Sequence, residues 1–239
     1  KTKKEELAKQ ESSSDNSSIN FTIDEKKNKG FFGKVLGGYG SDDRYEGSLI
    51  MNFFNNNQKI SILASSNNIN STGFSMDDVF DNMGGGRNNN ANQGSTTSGK
   101  GIIQSNLAGI NYSDEWFKDF SASGSYNFSN NITNNDSKAN QLSFLPTGNI
   151  ITVSDSKTRN ENTGNKANFE FEYKLDPSTR IVFTPKFNQT RVDSDSASSS
   201  SSENESGQAL NESTAVSHRE NTTTNFANTL NFNKVFEKK

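Results

Sequence analysis

The sequence predicts an all-β fold, a partial antiparallel sheet of about eight meandering strands. Residues 166–175 alternate strictly between apolar and polar side chains, so Phe169 and Phe171 share one face of a strand while Glu170 and Glu172 share the other. Eighteen Phe and five Tyr against only three Pro form a strand-rich inventory. Polar connections of very different lengths separate the apolar stretches. Together these three features favour strands over helices.

The overall composition is unusually polar for a folded chain. Only 28% of the 239 residues are hydrophobic, close to the level at which disorder is expected. The formal net charge is only -3, however, from 25 basic and 28 acidic residues, and the apolar side chains cluster in the predicted strands. The low average is therefore a mixture of strands and polar connections. The near balance of charge, with no basic stripe, also excludes nucleic acid as a partner.

The predicted strands follow the alternating segments in order. A charged and then Ser/Asn/Asp-rich stretch covers residues 1–17, and a short strand is expected at residues 19–23. Most of the later strands have the roughly 9 to 11 residues that a tilted strand needs to cross a bilayer. These later strands are expected at residues 31–40, 44–54, 59–67, 105–112, 116–128, 166–175, 179–192 and 222–234.

The predicted connections alternate between tight turns and long loops. Outer-membrane β-barrels show this asymmetry because their periplasmic hairpins are tight and their external loops are extended. Residues 41–43 are an exception, a short turn on the expected external side. Tight turns are expected at residues 55–57, 113–115 and 176–178, and long external loops at residues 68–104, 130–165 and 193–220.

A strand with one apolar and one polar face fits the wall of a transmembrane β-barrel, with lipid on one side and a wet lumen on the other. No apolar run approaches the roughly 18 residues of a membrane helix, which excludes a helical membrane protein. Four positions break the pattern: Ile50 falls on the polar face, and Lys118, Pro185 and Asn228 fall on the apolar face. A soluble surface β-sandwich remains an alternative and predicts shorter loops.

Residues with catalytic or metal-binding chemistry are scarce. His218 is the only histidine, in a polar stretch without cysteine, so a solvated loop residue is expected there and not a metal ligand or a base. Asp193, Asp195, Glu203 and Glu205 could chelate calcium but lack the spacing of a calcium loop. We therefore expect no enzymatic activity, no cofactor and no metal site.

The charged side chains of the polar strand face are the remaining candidates for a functional role. In a barrel they would face the lumen, where they could contact a ligand or simply solvate the wall. The candidate lumen-facing residues are Lys34, Arg44, Glu46, Lys59, Glu170, Glu172, Lys174, Arg180 and Lys186.

Several ordered motifs resemble the start of the barrel in outer-membrane β-barrel proteins related to TonB-dependent receptors. They occur in order between residues 30 and 149. The motifs are Gly-Phe-Phe-Gly-Lys-Val at residues 30–35, Gly-Tyr-Gly-Ser-Asp-Asp-Arg-Tyr-Glu at 38–46, Ser-Asn-Asn-Ile-Asn at 66–70, Gly-Phe-Ser at 73–75, Ile-Asn-Tyr-Ser-Asp-Glu-Trp at 110–116 and Leu-Pro-Thr-Gly-Asn at 145–149.

This resemblance implies a domain order, a location and a set of partners. Residues 1–29 would be a tether and the last strand of a plug domain, and residues 30–239 the N-terminal part of a larger barrel in the outer membrane of a Gram-negative cell. The implied function is import of an unidentified ligand. The implied partners are outer-membrane lipid, TonB through the plug, and a surface lipoprotein or ligand at the external loops. The alternative is a non-transporting surface barrel, acting as an adhesin, assembly subunit or scaffold through those loops.

Overall fold

The computed structural model describes residues 29–70, 101–146 and 148–236. The expected tether, the short strand at residues 19–23, the 73–75 motif and most of the 68–104 loop lie outside these residues. No described segment forms a helix long and apolar enough to cross a membrane. The described strands are β1 (Lys29–Tyr39), β2 (Tyr45–Asn55), β3 (Gln58–Asn67), β4 (Ile102–Phe117), β5 (Phe120–Ser143), β6 (Ile150–Asp176), β7 (Thr179–Asn204) and β8 (Ala209–Lys234).

The eight strands form one sheet in chain order, and every neighbouring pair is antiparallel. The predicted all-β antiparallel meander is therefore confirmed. The sheet does not close into a barrel: among the described strands β1 pairs with β2 alone, and β8 pairs with β7 alone. A transmembrane wall thus stays a prediction.

Cross-strand register keeps most of the large apolar side chains of the eight strands on one face. Residues directly opposite each other in a sheet project to the same side, so each row of partners can be followed from β1 to β8. One row on the apolar face runs through Gly33, Met51, Ile62, Ile110, Tyr126, Ala167, Phe187 and Phe226. The adjacent row on the polar face runs through Phe32, Asn52, Ser61, Asn111, Ser125, Asn168, Lys186 and Ala227.

On β2 to β4 the polar face is the shielded one. Ser61 on β3 and Asn111 on β4 are only 1% and 5% exposed on that face, whereas their neighbours Ile62 and Ile110 on the apolar face are 38% and 44% exposed. This is the reverse of the burial expected for a protein in water. The described residues form a single sheet, so they provide no second layer to cover the apolar side.

The turn predicted at residues 113–115 is wrong. These residues continue β4, where Ser113 pairs with Ser123, and the chain reverses after a β-bulge between Glu115 and Phe117. The reversal uses Asp119, whose φ of 65° is left-handed, a conformation that Asp tolerates well. Trp116 therefore belongs to the end of β4, just before its last residue Phe117, and does not start the next strand. Lys118 lies in the turn and not on the apolar strand face.

The loops predicted at residues 130–165 and 193–220 are also wrong. β5 and β6 stay paired as far as Ser143 and Ile150, and β7 and β8 as far as Glu203 and Ala209. The chain reverses within the short segments that follow, where Gly148 and Gly207 adopt positive φ.

Hydrogen bonds between polar side chains explain how such sequences form strands. Ser194 Oγ donates to Asn160 Oδ1 at 2.5 Å, and the hydroxyls of Ser196 and Ser217 lie 2.8 Å apart across β7 and β8. Ladders of Ser, Thr and Asn of this kind contribute to strand pairing without apolar burial. Composition alone therefore does not mark these residues as loops.

The other expected exceptions to the alternation of apolar and polar side chains lie on the faces that were predicted for them. Ile50 lies on the polar face, where it pairs with Leu63, and both side chains are buried. Pro185 pairs with Asn228 on the apolar face. Because Pro lacks a backbone N–H, one donor is missing from the ladder on the other side, between β6 and β7, where pairing is interrupted between Asn168–Lys186 and Phe171–Phe183.

The β6–β7 turn is held by the side chain of Asp176. Its carboxylate accepts hydrogen bonds from the Ser178 N–H at 2.8 Å, from the Ser178 hydroxyl at 2.6 Å and from the Thr179 hydroxyl at 2.7 Å. The Nζ of Lys234 on β8 also donates to it at 3.3 Å. These hydrogen bonds stabilise the ionised carboxylate and hold the pKa of Asp176 well below its ordinary value of 3.8. The hydrogen bond from the Ser178 side chain has the largest effect.

We predict that Asp176 makes stability depend on pH in the acidic range. Because its pKa is lower in the folded state, its contribution is complete above the ordinary value and is lost as the pH falls through the folded-state pKa. The difference in free energy of unfolding between wild type and Asp176→Asn should therefore shrink between about pH 5 and about pH 2. Urea unfolding at a series of pH values measures it. A constant difference would show that the ionised carboxylate contributes nothing.

A second prediction concerns Gly124, which pairs with Phe169 on the apolar face. A Cβ at Gly124 would clash with the Phe169 ring, whereas a Cβ at Gly37 would meet nothing within 4 Å. Gly124→Ala should lower the free energy of unfolding by about 1 to 3 kcal/mol because the ring must move. Gly37→Ala, the matched control, should change it by less than about 0.5 kcal/mol. Equal effects in denaturant titrations would refute the close contact.

Candidate functional site: an apolar band, a charged collar and a polar face

The apolar face forms a continuous band across the sheet. On β1 it extends from Phe31 to Tyr39, about 27 Å along the strand at roughly 3.4 Å per residue. With a strand tilt of about 40° this corresponds to a height of about 20 Å, close to the roughly 25 Å apolar belt of outer-membrane barrels. The main members of this apolar band are Phe31, Val35, Leu49, Met51, Phe53, Ile60, Ile62, Ile110, Tyr126, Phe169, Phe171, Ile181, Phe183, Phe187, Phe226, Leu230 and Phe232.

An aromatic cluster lies at the end of the band that carries the β4–β5 and β6–β7 turns. The β-bulge lets both Trp116 and Phe117 contact Phe120, with ring centroids 5.8 and 4.6 Å apart. Trp116 also meets the edge of Phe171 at 6.4 Å and donates from Nε1 to the Tyr112 hydroxyl at 2.8 Å. Aromatic side chains with a polar tip concentrate where an apolar region meets water.

Tyrosines mark the opposite end of the band on β1 and β2. Tyr39 and Tyr45 face each other across the first hairpin. The Tyr39 hydroxyl donates to Asp43 at 2.8 Å, and the Tyr45 hydroxyl accepts a hydrogen bond from Gln104 Nε2 at 3.2 Å. The band is therefore bounded at both ends by aromatic rings that make polar contacts, as in the girdles of outer-membrane barrels.

Beyond the band, the same face of β5 to β8 carries ion pairs among Ser, Thr and Asn side chains, with a few apolar residues such as Ile132 and Val216. We call this region the charged collar. Arg159 Nη2 lies 2.7 Å from Glu161 Oε2 and, with Asn130, lowers the pKa of Glu161. Its ion pairs are Lys138–Asp155, Lys157–Asp136, Arg159–Glu161, Arg191–Asp193, Arg191–Glu220, His218–Asp193 and His218–Asp195.

The structure places most of the candidate lumen-facing residues on the polar strand face. Arg44 is different, since it lies in the β1–β2 turn and donates to the backbone oxygen of Asn68 at 2.5 Å. The residues that register puts on the polar face are Lys34, Glu46, Lys59, Glu170, Glu172, Lys174, Arg180 and Lys186.

These charged residues form two separate groups. Glu170, Glu172, Lys174, Arg180 and Lys186 lie together on β6 and β7, and Arg180 Nη1 is 3.6 Å from Glu172 Oε1. Lys34, Glu46 and Lys59 lie on β1 to β3, separated from them by β4 and β5. The described sheet therefore contains one mixed-charge patch on β6 and β7 and not a single converged binding site.

Between these groups lies a row of amides that the sequence analysis did not single out. Ser61 donates to the Asn52 side-chain oxygen, while Asn52 Nδ2, Asn111 Oδ1 and Asn127 Oδ1 are buried without a hydrogen-bond partner among the described residues. Buried polar atoms are normally satisfied by protein or water. Each of these three Asn residues lies between two apolar residues on its strand, and that pattern was the sequence signal that could have identified them.

Comparison with protein-family models, with curated proteins and with solved structures found no match to this chain. The similarity to TonB-dependent receptors therefore depends on the short motifs alone and stays a prediction.

Proposed function

We propose that this chain forms part of the wall of an outer-membrane β-barrel, with the apolar band in contact with lipid and the polar face lining a lumen. The observation that carries the proposal is the inverted burial: large apolar side chains are exposed on one face, while Asn and Ser are buried on the other. Complete burial of one such Phe or Leu side chain contributes about 1.5 to 3 kcal/mol. In contact with lipid, the exposure of these apolar side chains would be energetically favourable.

The free strand edges support the same proposal. The apolar face continues onto both edge strands, with Val35 on β1 and Leu230 on β8. An edge strand leaves backbone N–H and C=O groups unpaired, and these groups are very costly in hydrocarbon. In the proposed barrel these edges are paired, either with each other or with further strands that continue the same apolar row.

A more specific proposal is that the barrel imports a ligand. It rests on the resemblance of the sequence motifs to TonB-dependent receptors and on the charged residues of the polar face. The mixed-charge patch formed by Glu170, Glu172, Lys174, Arg180 and Lys186 would lie in the lumen, where it could contact a polar ligand. In this proposal a plug and TonB supply the coupling to energy.

A scaffold or adhesin role is the second candidate, favoured by the length of the last hairpins. From Phe226 at the edge of the band, β8 continues to Ala209, about 55 Å along the strand at roughly 3.4 Å per residue. A hairpin of this length would stand well outside the bilayer. It offers a surface for a lipoprotein, another partner or a ligand without any transport.

The lipid contact can be tested by placing single cysteines in a chain that has none. We predict that Phe169→Cys on β6 and Leu230→Cys on β8, labelled with a fluorophore in vesicles, will be quenched by a lipid-soluble quencher. The adjacent controls Glu170→Cys and Asn231→Cys lie on the polar face and should respond instead to a water-soluble quencher. Loss of this alternation, or a chain that does not enter vesicles, would refute the membrane wall.

A further prediction places the two ends of the strands on opposite sides of the membrane. Ser206 lies in the β7–β8 turn and Pro177 in the β6–β7 turn, at opposite ends of β7. In cells with an outer membrane, an impermeant thiol reagent should label Ser206→Cys before the membrane is opened and Pro177→Cys only afterwards. The reverse order would invert the orientation, and labelling of both in intact cells would contradict a spanning wall.

A further inference from the structure

A histidine and three acidic side chains converge on the β7–β8 hairpin. Asp193 pairs with Glu220 and Asp195 pairs with His218, so all four side chains project from one face. One ligand atom from each of Asp193, His218 and Glu220 lies within 4.8 Å of the others. His218 Nδ1 is 2.8 Å from Asp195 Oδ1 and 3.7 Å from Asp193 Oδ1. His218 was expected to be a solvated loop residue; its side chain is exposed, but the expected loop is wrong, because His218 lies within β8.

We propose that Asp193, His218 and Glu220 form a binding site for a divalent transition metal ion of the zinc class. One imidazole and two carboxylates are ligands that Zn²⁺ accepts, and three protein ligands leave a fourth position for water or for a group from a partner. Ca²⁺ and Mg²⁺ prefer six or more oxygen ligands, a requirement that a site with an imidazole does not meet.

The strand backbone holds these residues close to a binding geometry. A tetrahedral zinc site needs neighbouring ligand atoms about 3.3 Å apart, so small side-chain rotations from the observed separation are sufficient. Asp195 Oδ1 lies 2.8 Å from His218 Nδ1, so in the proposed site Nδ1–H donates to Asp195, which acts as a positioning residue, and Nε2 is the nitrogen that binds the metal. His218 is well exposed, and a shallow groove of about 330 Å³ adjoins it, so an ion can reach the site.

Arg191 would compete with a metal ion for the carboxylates of Asp193 and Glu220. Its Nη2 atom lies 3.1 Å from Glu220 Oε1 and 3.9 Å from Asp193 Oδ2, so without metal it balances the carboxylate charges. A bound cation must displace this guanidinium. Removing the Arg191 charge should therefore strengthen metal binding, whereas a purely structural ion-pair network would not respond in this way.

Protons compete with the metal as well. The hydrogen bond to Asp195, followed by the charges of Asp193 and Asp195, raises the pKa of His218, and only the neutral imidazole binds metal. The charged groups on the same face around His218 are Arg191, Asp193 and Asp195 on β7, Glu220 on β8, and Lys157, Arg159 and Glu161 on β6.

The test is a Zn²⁺ titration of the whole chain in detergent after treatment with a chelator. We expect one ion per chain, and at least about tenfold weaker binding for each of Asp193→Asn, His218→Gln and Glu220→Gln. Arg191→Gln should bind zinc more tightly. Glu212→Gln is the matched control, since Glu212 lies on the same strand and face but outside the cluster, and its affinity should not change.

The single histidine gives an independent readout on the wild-type chain. Its imidazole NMR signals should shift as Zn²⁺ is added and stop shifting at one equivalent. Equal zinc affinity in wild type and His218→Gln, or imidazole signals that do not respond, would show an adventitious ion only and overturn the proposal. Because the ligands lie beyond the apolar band, this result does not depend on whether the band contacts lipid.

Discussion

Cross-strand register is the constraint on which the rest of this structure depends. Side chains alternate with a period of two residues, so a shift of one residue between any two strands would move the apolar side chains of one strand to the polar face. The row from Met51 through Ile110 and Tyr126 to Phe187 is continuous because no such shift accumulates along the sheet. The register shifts are confined to strand ends, as at the bulge between Glu115 and Phe117, and the interruption of β6–β7 pairing beside Pro185 does not change the register.

The bulge shows how an irregularity can be used without loss of register. It lies next to the turn, where no further pairs have to be kept in phase. Trp116 and Phe117 therefore both reach the ring of Phe120, although they are neighbours in sequence and would otherwise project to opposite faces. Large amphipathic rings are concentrated in this way at the boundary of the apolar band.

The faces were predictable from sequence because they depend on local alternation. Residues 166–175 contain enough Phe and Tyr to fix one face, and the opposite placement of Glu170, Glu172 and Lys174 follows from it. The long polar extensions were not predictable, because Ser, Asn and Thr form strands or loops according to what lies beside them. Ser196 is held by a neighbour on β8, a contact that no local pattern contains. The turn at Lys118–Asp119 was missed because Ser113-Asp114-Glu115 has a turn-like composition while it remains paired.

The metal cluster was missed for a related reason. Asp193 and Glu220 are distant in sequence and meet only because β7 and β8 remain paired beyond the apolar band. The same register that aligns Phe187 with Phe226 aligns these carboxylates some six residues further along, about 20 Å at roughly 3.4 Å per residue. One face of one hairpin thus changes from apolar to charged along its length. Because the two regions share a backbone ladder but no side chain, the proposed lipid contact at the band and the proposed metal binding at the collar can be tested independently.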